Sequence, residues 1–159
     1  MANNKLLENL RVDLNISPDL QNLMDNHADI APEATKLGLR RVTKAGSKQT
    51  KNRIKSLGLV KTGALVKSVR GSTTNKKSYI GTSLWYARFL EKGAKPHRIK
   101  ARRAKGLFIF GKFVKSVQHP GVRPYEMFED TFNDMQNRGE VQSLFYQGVM
   151  EAIEELSRR

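Results

Sequence analysis

The spacing of the apolar residues changes twice along this chain, and this change limits the folds open to it more than any other feature. From Leu6 to Val42, apolar residues recur every three or four positions, which is typical of helices. Between Leu65 and Val117 they alternate and are separated by turn-forming clusters, which is typical of hairpins. Helical spacing returns from Tyr125 to Leu156. The sequence therefore predicts an α+β fold, in which a small antiparallel sheet with two hairpins packs against N-terminal and C-terminal helices.

Length and composition predict one soluble domain made inside the cell. A chain of 159 residues is close to the commonest domain size. Within this domain we expect residues 1–58 to be mostly helical, residues 59–120 to form the sheet with a short helix, and residues 121–159 to form C-terminal helices. No apolar run reaches the ~18 residues that cross a bilayer, and the N-terminus lacks the pattern of a signal peptide. The chain has no cysteine, which excludes disulfides and thiol catalysis.

The middle of the chain predicts two hairpins joined by a short helix and a basic connector. The first hairpin begins near Leu65, turns at "GSTTNKK" and returns through "SYIGT". The segment "SLWYARFLEKG" predicts a short helix with Ser83 as its N-cap and Gly93 as its left-handed last residue. The connector "AKPHRIKARRAK" follows. The second hairpin places Gly111 and Lys112 in a two-residue type II′ turn between two apolar runs.

Two further segments leave alternatives open. The polar stretch "KAGSKQTKNRIKS" either extends the N-terminal helix on an exposed face or forms a loop. Near the C-terminus, Pro124 is expected in the first turn of a helix that carries Tyr125 and Phe128 on one face. Two helices then break at Arg138 and Gly139, or one long helix has a weak point there.

Charge is strongly segregated along the sequence. Residues 1–33 have a net charge of −4, residues 34–125 have +23 with Glu91 as their one acid, and residues 126–159 have −5. A field of one sign over a large surface favours nucleic acid, an anionic protein or the acidic segments of neighbouring copies as partners. A solvated face that keeps the protein soluble is the simpler alternative.

The sequence predicts no enzyme, cofactor or metal site. Three histidines are the candidates for catalysis or metal binding, but His27 lies on an apolar helical face and is interpreted as a packing residue. His97 and His119 each stand beside a proline, and the basic region offers them only Glu91 as a carboxylate partner. No glycine-rich loop ends in the pattern that cradles phosphates. A histidine-dependent nuclease is one of three functions that the sequence leaves open, and the other two are described next.

A sequence-independent nucleic-acid-binding module is the second alternative. The segment "KPHRIKARRAK" would contact phosphates, and Tyr79, Trp85 or Tyr86 would stack on bases. No helix-turn-helix, zinc-finger or RNA-recognition signature accompanies these residues.

Three motifs, taken in order, resemble the tail-completion proteins of tailed bacteriophages, also called neck or head-tail joining proteins. The motifs are "KTGALVKSV", "WYARFLEKGAKPHRIKAR" and "GLFIFGKFVKSVQHPGVRPYEMFEDTF", and they cover roughly residues 60–132. The positions that match the family pattern are Thr62, Gly63, Leu65, Ser68, Val69, Tyr86, Ala87, Glu91, Gly93, His119, Pro120, Gly121, Pro124 and Tyr125.

The resemblance implies a structural virion protein without enzymatic activity. Such a protein would form a ring of six or twelve copies around the DNA channel at the head-tail junction and contact portal-side adaptor proteins and the tail terminator or tail tube. It would reside in the virion neck, after assembly in the host cytoplasm, without a membrane partner. The residues expected to contact a partner protein or the DNA in the channel are Lys95, His97, Arg98, Lys100, Arg102, Arg103 and Lys105. Whether they face DNA or an acidic protein stays open.

Overall fold

The computed structural model describes residues 18, 22, 25–26, 31–74, 77–101 and 106–158, apart from the side chains of residues 156 and 157. Within these residues the chain forms two compact units, one from Met1–Trp85 with Met127–Arg159 and the other from Tyr86–Glu126. We call them the helical unit and the motif unit. The predicted α+β class is confirmed, because helices lie at both ends of the chain and antiparallel hairpins lie between them. The organisation as a single domain stays a prediction.

The described elements are five helices and six short strands. The helices are α1 (Ala31–Ser56), α2 (Ala64–Ser68), α3 (Ala87–Lys92), α4 (Glu129–Asn137) and α5 (Glu140–Ser157). The strands are β1 (Arg70–Thr73), β2 (Ser78–Gly81), β3 (His97–Lys100), β4 (Leu107–Ile109), β5 (Lys112–Val114) and β6 (Ser116–His119). They pair antiparallel as β1 with β2, β3 with β6, and β4 with β5.

The core of the helical unit lies where α1 crosses α5. Apolar side chains at helical spacing on α1, α4 and α5 are buried together there, as their sequence pattern predicts. They are Ala34, Leu39, Val42, Met135, Val141, Phe145, Val149 and Ala152. Two glycines allow the crossing, since a Cβ on Gly148 would lie 2.6 Å from the Cα of Gly38. The two helix backbones therefore touch, and no larger residue fits between them.

The β1–β2 hairpin packs on α1 largely through hydroxyl groups. Thr43 of α1 hydrogen-bonds Ser78 of β2, and the Thr73 hydroxyl of β1 donates to the Thr43 hydroxyl at 3.2 Å. Gly71 allows this approach, because a Cβ there would lie 2.1 Å from the Thr43 methyl group. The hydroxyl groups of Thr43, Thr73 and Ser78 thus hydrogen-bond one another at this contact, as polar groups taken from water require.

The predicted start of the first hairpin, near Leu65, is wrong. Residues from Ala64 to Ser68 form the helix α2 instead of a strand, and β1 begins only at Arg70. Leu65 and Val69 are both buried, and their spacing of four residues places them on one side of a helical turn. The returning strand at "SYIGT" is confirmed as β2.

The second hairpin exists, but its turn lies one residue earlier than predicted. Ile109 pairs with Lys112, so the two turn residues are Phe110 and Gly111. Both have positive φ, 48° and 78°, which a type I′ turn requires and a type II′ turn does not. The strand after it ends at Val114, and residues from Ser116 form β6, which pairs with β3. The predicted basic connector is therefore partly a strand.

The helix ends also differ in part from the expectations. "KAGSKQTKNRIKS" extends the N-terminal helix, and its Ile54 is fully buried. Ser83 does not cap α3, because the N-cap residue is Tyr86 and no side chain caps it. Pro124 lies outside α4, which begins at Glu129 after Glu126 adopts a φ of 45°. The break between the last two helices at Gly139 is confirmed.

Candidate interaction surface

The second and third sequence motifs meet side by side in the motif unit. Ala94 and Val122 exchange two backbone hydrogen bonds of 2.8 Å each, and His97 pairs with His119 at the start of the β3–β6 ladder. The Tyr125 N–H also donates to the Leu90 carbonyl at 2.8 Å. The segments around "EKGAKPH" and "HPGVRPY", which are about 25 residues apart in sequence, therefore form one continuous hydrogen-bonded frame.

Two glycines of these motifs are required by the frame. Gly93 has a φ of 73°, and a Cβ there would lie 2.7 Å from the Val122 carbonyl oxygen. Gly121 has a φ of 88°, and its Cβ would lie 2.3 Å from the Ala94 carbonyl oxygen. Positive φ and backbone contact together exclude side chains at both positions. The motif glycines thus have a structural explanation independent of any partner.

The two histidines of the motifs stack on each other across the β3–β6 ladder. Their ring centroids are 5.1 Å apart, and the planes are inclined by 27°. His119 Nδ1 accepts the Gly121 N–H at 3.0 Å, so His119 braces the turn that leaves β6. His97 Nδ1 lies 2.9 Å from the Lys95 carbonyl oxygen and donates to it. Both rings therefore act on the local backbone, which agrees with a structural role.

Replacement of His119 should loosen this turn. We expect His119→Ala to increase the hydrogen-exchange rate of the Gly121 amide by about fivefold or more, because an N–H that loses its acceptor loses roughly 1 kcal/mol or more of net stabilisation. His119→Asn keeps a side-chain acceptor near the position of Nδ1 and is the matched control, for which most of the protection should remain. Equal exchange in the wild type and both variants, measured by NMR, would contradict the bracing role.

The predicted contact residues that the structure describes all lie on β3 or within two residues before it. Lys95, His97, Arg98 and Lys100 are all exposed, and Arg98 Nε donates to the Ser116 hydroxyl at 2.9 Å. Arg102, Arg103 and Lys105 lie outside the described residues, as does His27. The strand thus presents a basic edge to solvent, and its role in partner or DNA contact stays a proposal.

The first motif lies in the helical unit. Gly63 is the N-cap residue of α2 and has a φ of 74°, and the Ala64 N–H donates to the Thr62 hydroxyl at 3.4 Å. Ser68 ends the helix, and its hydroxyl hydrogen-bonds the Thr82 hydroxyl at 2.6 Å. The residues of this motif therefore shape the path of the chain from α1 into the β1–β2 hairpin.

Part of the segregated charge is paired inside the helical unit. Arg53 of α1 binds Asp130 and Asp134, which lie one helical turn apart on α4. Arg41 of α1 binds Glu151 of α5. The acidic C-terminal helices thus have basic partners within the same chain, which the linear charge pattern does not reveal.

We expect the two ion pairs that Arg53 forms with Asp130 and Asp134 to contribute measurably to the free energy of unfolding. Arg53→Lys should lower the free energy of unfolding by about 0.5–1 kcal/mol, because an ammonium group cannot bind two carboxylates with the fixed fork of a guanidinium. Arg40→Lys, on an exposed position of the same helix, is the control and should change it little. Urea unfolding at low and high salt measures both, and the Arg53 effect should shrink as salt rises. Equal stability of the two variants would contradict this role.

Sequence analysis missed an exposed aromatic cluster on the β4–β5 hairpin. Phe108, Phe110 and Phe113 have exposed fractions of 66%, 100% and 75%. The sequence places these residues in two apolar runs, and apolar runs predict burial. A signal that could have revealed the cluster is the geometry of a strand, in which successive side chains point to opposite faces, so that Phe108 lies on the opposite face from Leu107 and Ile109.

The described residues show neither a metal centre nor a membrane span. Among them, no three His, Cys, Asp or Glu side chains come together in a way that could hold a metal ion. None of the described helices is long and apolar enough to cross a bilayer.

Comparison with protein families places the chain beside phage tail proteins. Residues 20–93 match the HK97-gp10-like family, which is described as "Bacteriophage HK97-gp10, putative tail-component". This segment is a little under half of the chain and includes the first motif and the second as far as Gly93, whereas the third lies beyond it. Comparisons with curated proteins and with solved structures gave no match. The predicted resemblance to a tailed-phage tail or neck family is confirmed, and it supports a structural role related to the tail.

Proposed function

From the match of residues 20–93 to a phage tail-component family, we propose that this protein is a tail-completion component that joins head and tail. The match is the observation that carries the proposal. The third motif, which lies outside the matched segment, supports it because His119 pairs with His97 and Val122 exchanges hydrogen bonds with Ala94, both within the second motif. The protein acts as a structural part of the virion and not as an enzyme.

In this proposal the subunits assemble into a closed ring around the DNA channel. A ring needs two different complementary surfaces on each subunit, so that each copy binds the next head to tail. Apart from these ring contacts, the motif unit carries a strongly basic surface, since Tyr86–Glu126 has eleven Lys and Arg residues but only two Glu residues. Its exposed strand β3, with Arg98 and Lys100, would contact the acidic surface of an adjoining neck or tail protein.

Electron microscopy of the purified protein and of the virion tests the proposal. We expect size measurements to give six or twelve copies and electron microscopy to show a ring. Both results should appear with the protein alone or after mixing with portal-side adaptor proteins and the tail terminator. We also expect mass spectrometry of purified virions to detect the chain at a few copies per particle. A protein that stays monomeric with every neck and tail protein and is absent from virions would overturn the proposal.

Sequence-independent nucleic-acid binding is the second candidate, and the exposed basic edge at β3 favours it. If this were the function, duplex DNA should bind the free subunit with an affinity that falls steeply as salt rises. Arg98→Gln with Lys100→Gln should then weaken binding on all sequences alike and lower the salt slope by about two. Weak binding that these substitutions do not change would remove this candidate.

A further inference from the structure

The β4–β5 hairpin carries the most exposed apolar surface in the described part of the chain. Phe110 is fully exposed at its turn, and Phe108 and Phe113 are more than half exposed beside it. Phe108 and Phe113 are direct cross-strand partners, and their ring centroids lie 5.1 Å apart. Because one phenylalanine can bury about 150–250 Å², the three rings together offer roughly 500 Å² of apolar surface. Exposed apolar surface of this extent on one hairpin is typical of a binding site.

The turn residue Phe110 is unfavourable for the free subunit in two ways. Its φ of 48° belongs to the left-handed region, where a bulky side chain is an outlier. Type I′ turns prefer Asn-Gly, so asparagine would suit this position better. Its ring also gains no burial within the chain that would offset this strain. A residue that is strained and exposed is expected where a partner makes use of it.

The surroundings of the hairpin indicate the chemistry of that partner. The 41 residues of the motif unit carry a net charge of +9, out of +14 for the whole chain. Lys112 and Lys115, which flank Phe113, have no carboxylate within ion-pair distance among the described residues. We propose that the hairpin inserts Phe108, Phe110 and Phe113 into an apolar pocket with a carboxylate rim on a different virion protein. Aromatic anchors surrounded by a polar rim are the usual arrangement of a binding hot spot.

Neither a second copy nor duplex DNA fits this hairpin as well. On a second copy, the carboxylates of Asp130, Asp134, Glu140, Glu151 and Glu154 are already bound by arginines of the same chain, which leaves fewer carboxylates for the lysines of the hairpin. Duplex DNA would satisfy the lysines, but its grooves expose hydrogen-bonding base edges and phosphates, which do not desolvate three phenylalanine rings. An apolar pocket with acidic residues at its rim satisfies both the rings and the lysines.

The first test separates binding from folding. Phe110→Asn should leave the Tm of the free full-length subunit unchanged or raise it, because asparagine relieves the turn. The same variant should lower the yield of infectious particles by about tenfold or more when it replaces the wild type during phage growth, as expected for loss of a hot-spot anchor. Val60→Thr, which removes an exposed apolar group from the helical unit, is the control and should assemble normally. A lowered Tm for Phe110→Asn, or normal particle yield, would overturn the proposal.

The second test identifies the partner. A photoreactive benzoylphenylalanine at position 110 of the full-length protein should crosslink, during assembly, to a protein segment that combines apolar residues with Asp or Glu. Crosslinks to DNA, to a second copy of this chain, or to no protein at all would overturn the inference. The partner's identity as a virion protein rests on the proposed function. Absence of the wild-type chain from virions would contradict that function, whereas normal incorporation of Phe110→Asn would contradict only the hairpin's role.

Discussion

Gly148→Ala is expected to lower the free energy of unfolding of the free subunit by about 2 kcal/mol, although alanine is the better helix former. A Cβ at this position would lie 2.6 Å from the Cα and 2.8 Å from the N of Gly38, and 2.9 Å from the Leu37 carbonyl oxygen. All three contacts are with backbone, so α1 and α5 must move apart to accommodate the methyl group. Overpacking against rigid backbone is expected at the upper end of its usual range, about 3 kcal/mol, and the ~1 kcal/mol gain in helix propensity reduces this to a net loss of about 2 kcal/mol.

Gly46→Ala is the matched control for this prediction. Gly46 also lies within a helix, but a Cβ there would meet the Cδ1 atom of Ile80 at 2.5 Å, which is the end of a flexible side chain. Rotation of Ile80 can relieve that contact, so the free energy of unfolding should change by less than about 1 kcal/mol. Thermal or urea unfolding measures both variants. A Gly148→Ala protein as stable as Gly46→Ala would contradict the close crossing of α1 and α5.

The hydrogen-bonded frame of the motif unit should also be disrupted by an added methyl group, in this case at Gly121. Gly121→Ala places a methyl group 2.3 Å from the Ala94 carbonyl oxygen, at a φ of 88° that alanine adopts only with strain. We expect the two backbone hydrogen bonds between Ala94 and Val122 to break. The hydrogen-exchange rates of these two amides should then rise by about a hundredfold. If the disruption spreads to β3 and β6, the amides that pair these two strands should also exchange faster.

Gly111→Ala separates the steric clash at Gly121 from the strain of positive φ. Gly111 has a φ of 78°, similar to that of Gly121, but a Cβ there meets no described atom within 4 Å. Only the conformational strain, about 1 kcal/mol, should therefore appear, and it should be confined to the β4–β5 turn. Protection of Ala94 and Val122 that survives Gly121→Ala, or that falls equally in both variants, would contradict the account of the frame.

The elements that sequence analysis predicted well are those with a strong local signal. Apolar spacing alone predicts α5, where Val141, Phe145 and Val149 are all buried as expected. The break at Gly139 follows from a glycine with a φ of 66° between two apolar helical patterns. Helical spacing at both ends of the chain and strand-like alternation in the middle were enough to predict the α+β class.

The errors arose where long-range pairing decides between local alternatives. Residues of β6 continue the alternation of β5, so the sequence could not indicate that they leave the hairpin to pair with β3. The turn at Phe110 was missed because phenylalanine is disfavoured at positive φ, and Gly111 alone indicated a turn that begins with glycine. For the candidate surface, basic residues on β3 were found from charge, whereas the apolar runs of the second hairpin gave no indication that its phenylalanine rings are exposed.

The pairing of charges inside the helical unit changes how the basic middle of the chain is interpreted. Arginines of α1 bind carboxylates of α4 and α5, so a large part of the excess positive charge of the whole chain remains on the motif unit. This unit also carries the second and third motifs and the aromatic hairpin. We therefore expect substitutions that abolish assembly without unfolding the subunit to concentrate within Tyr86–Glu126.

The most direct test of the central proposal is electron microscopy of lysates from a phage with a stop codon early in this gene. A tail-completion role predicts filled heads and separate tails, which join into infectious particles when the purified wild-type protein is added. Complete, joined virions in the absence of the protein would contradict the proposal, as would lysates that lack heads.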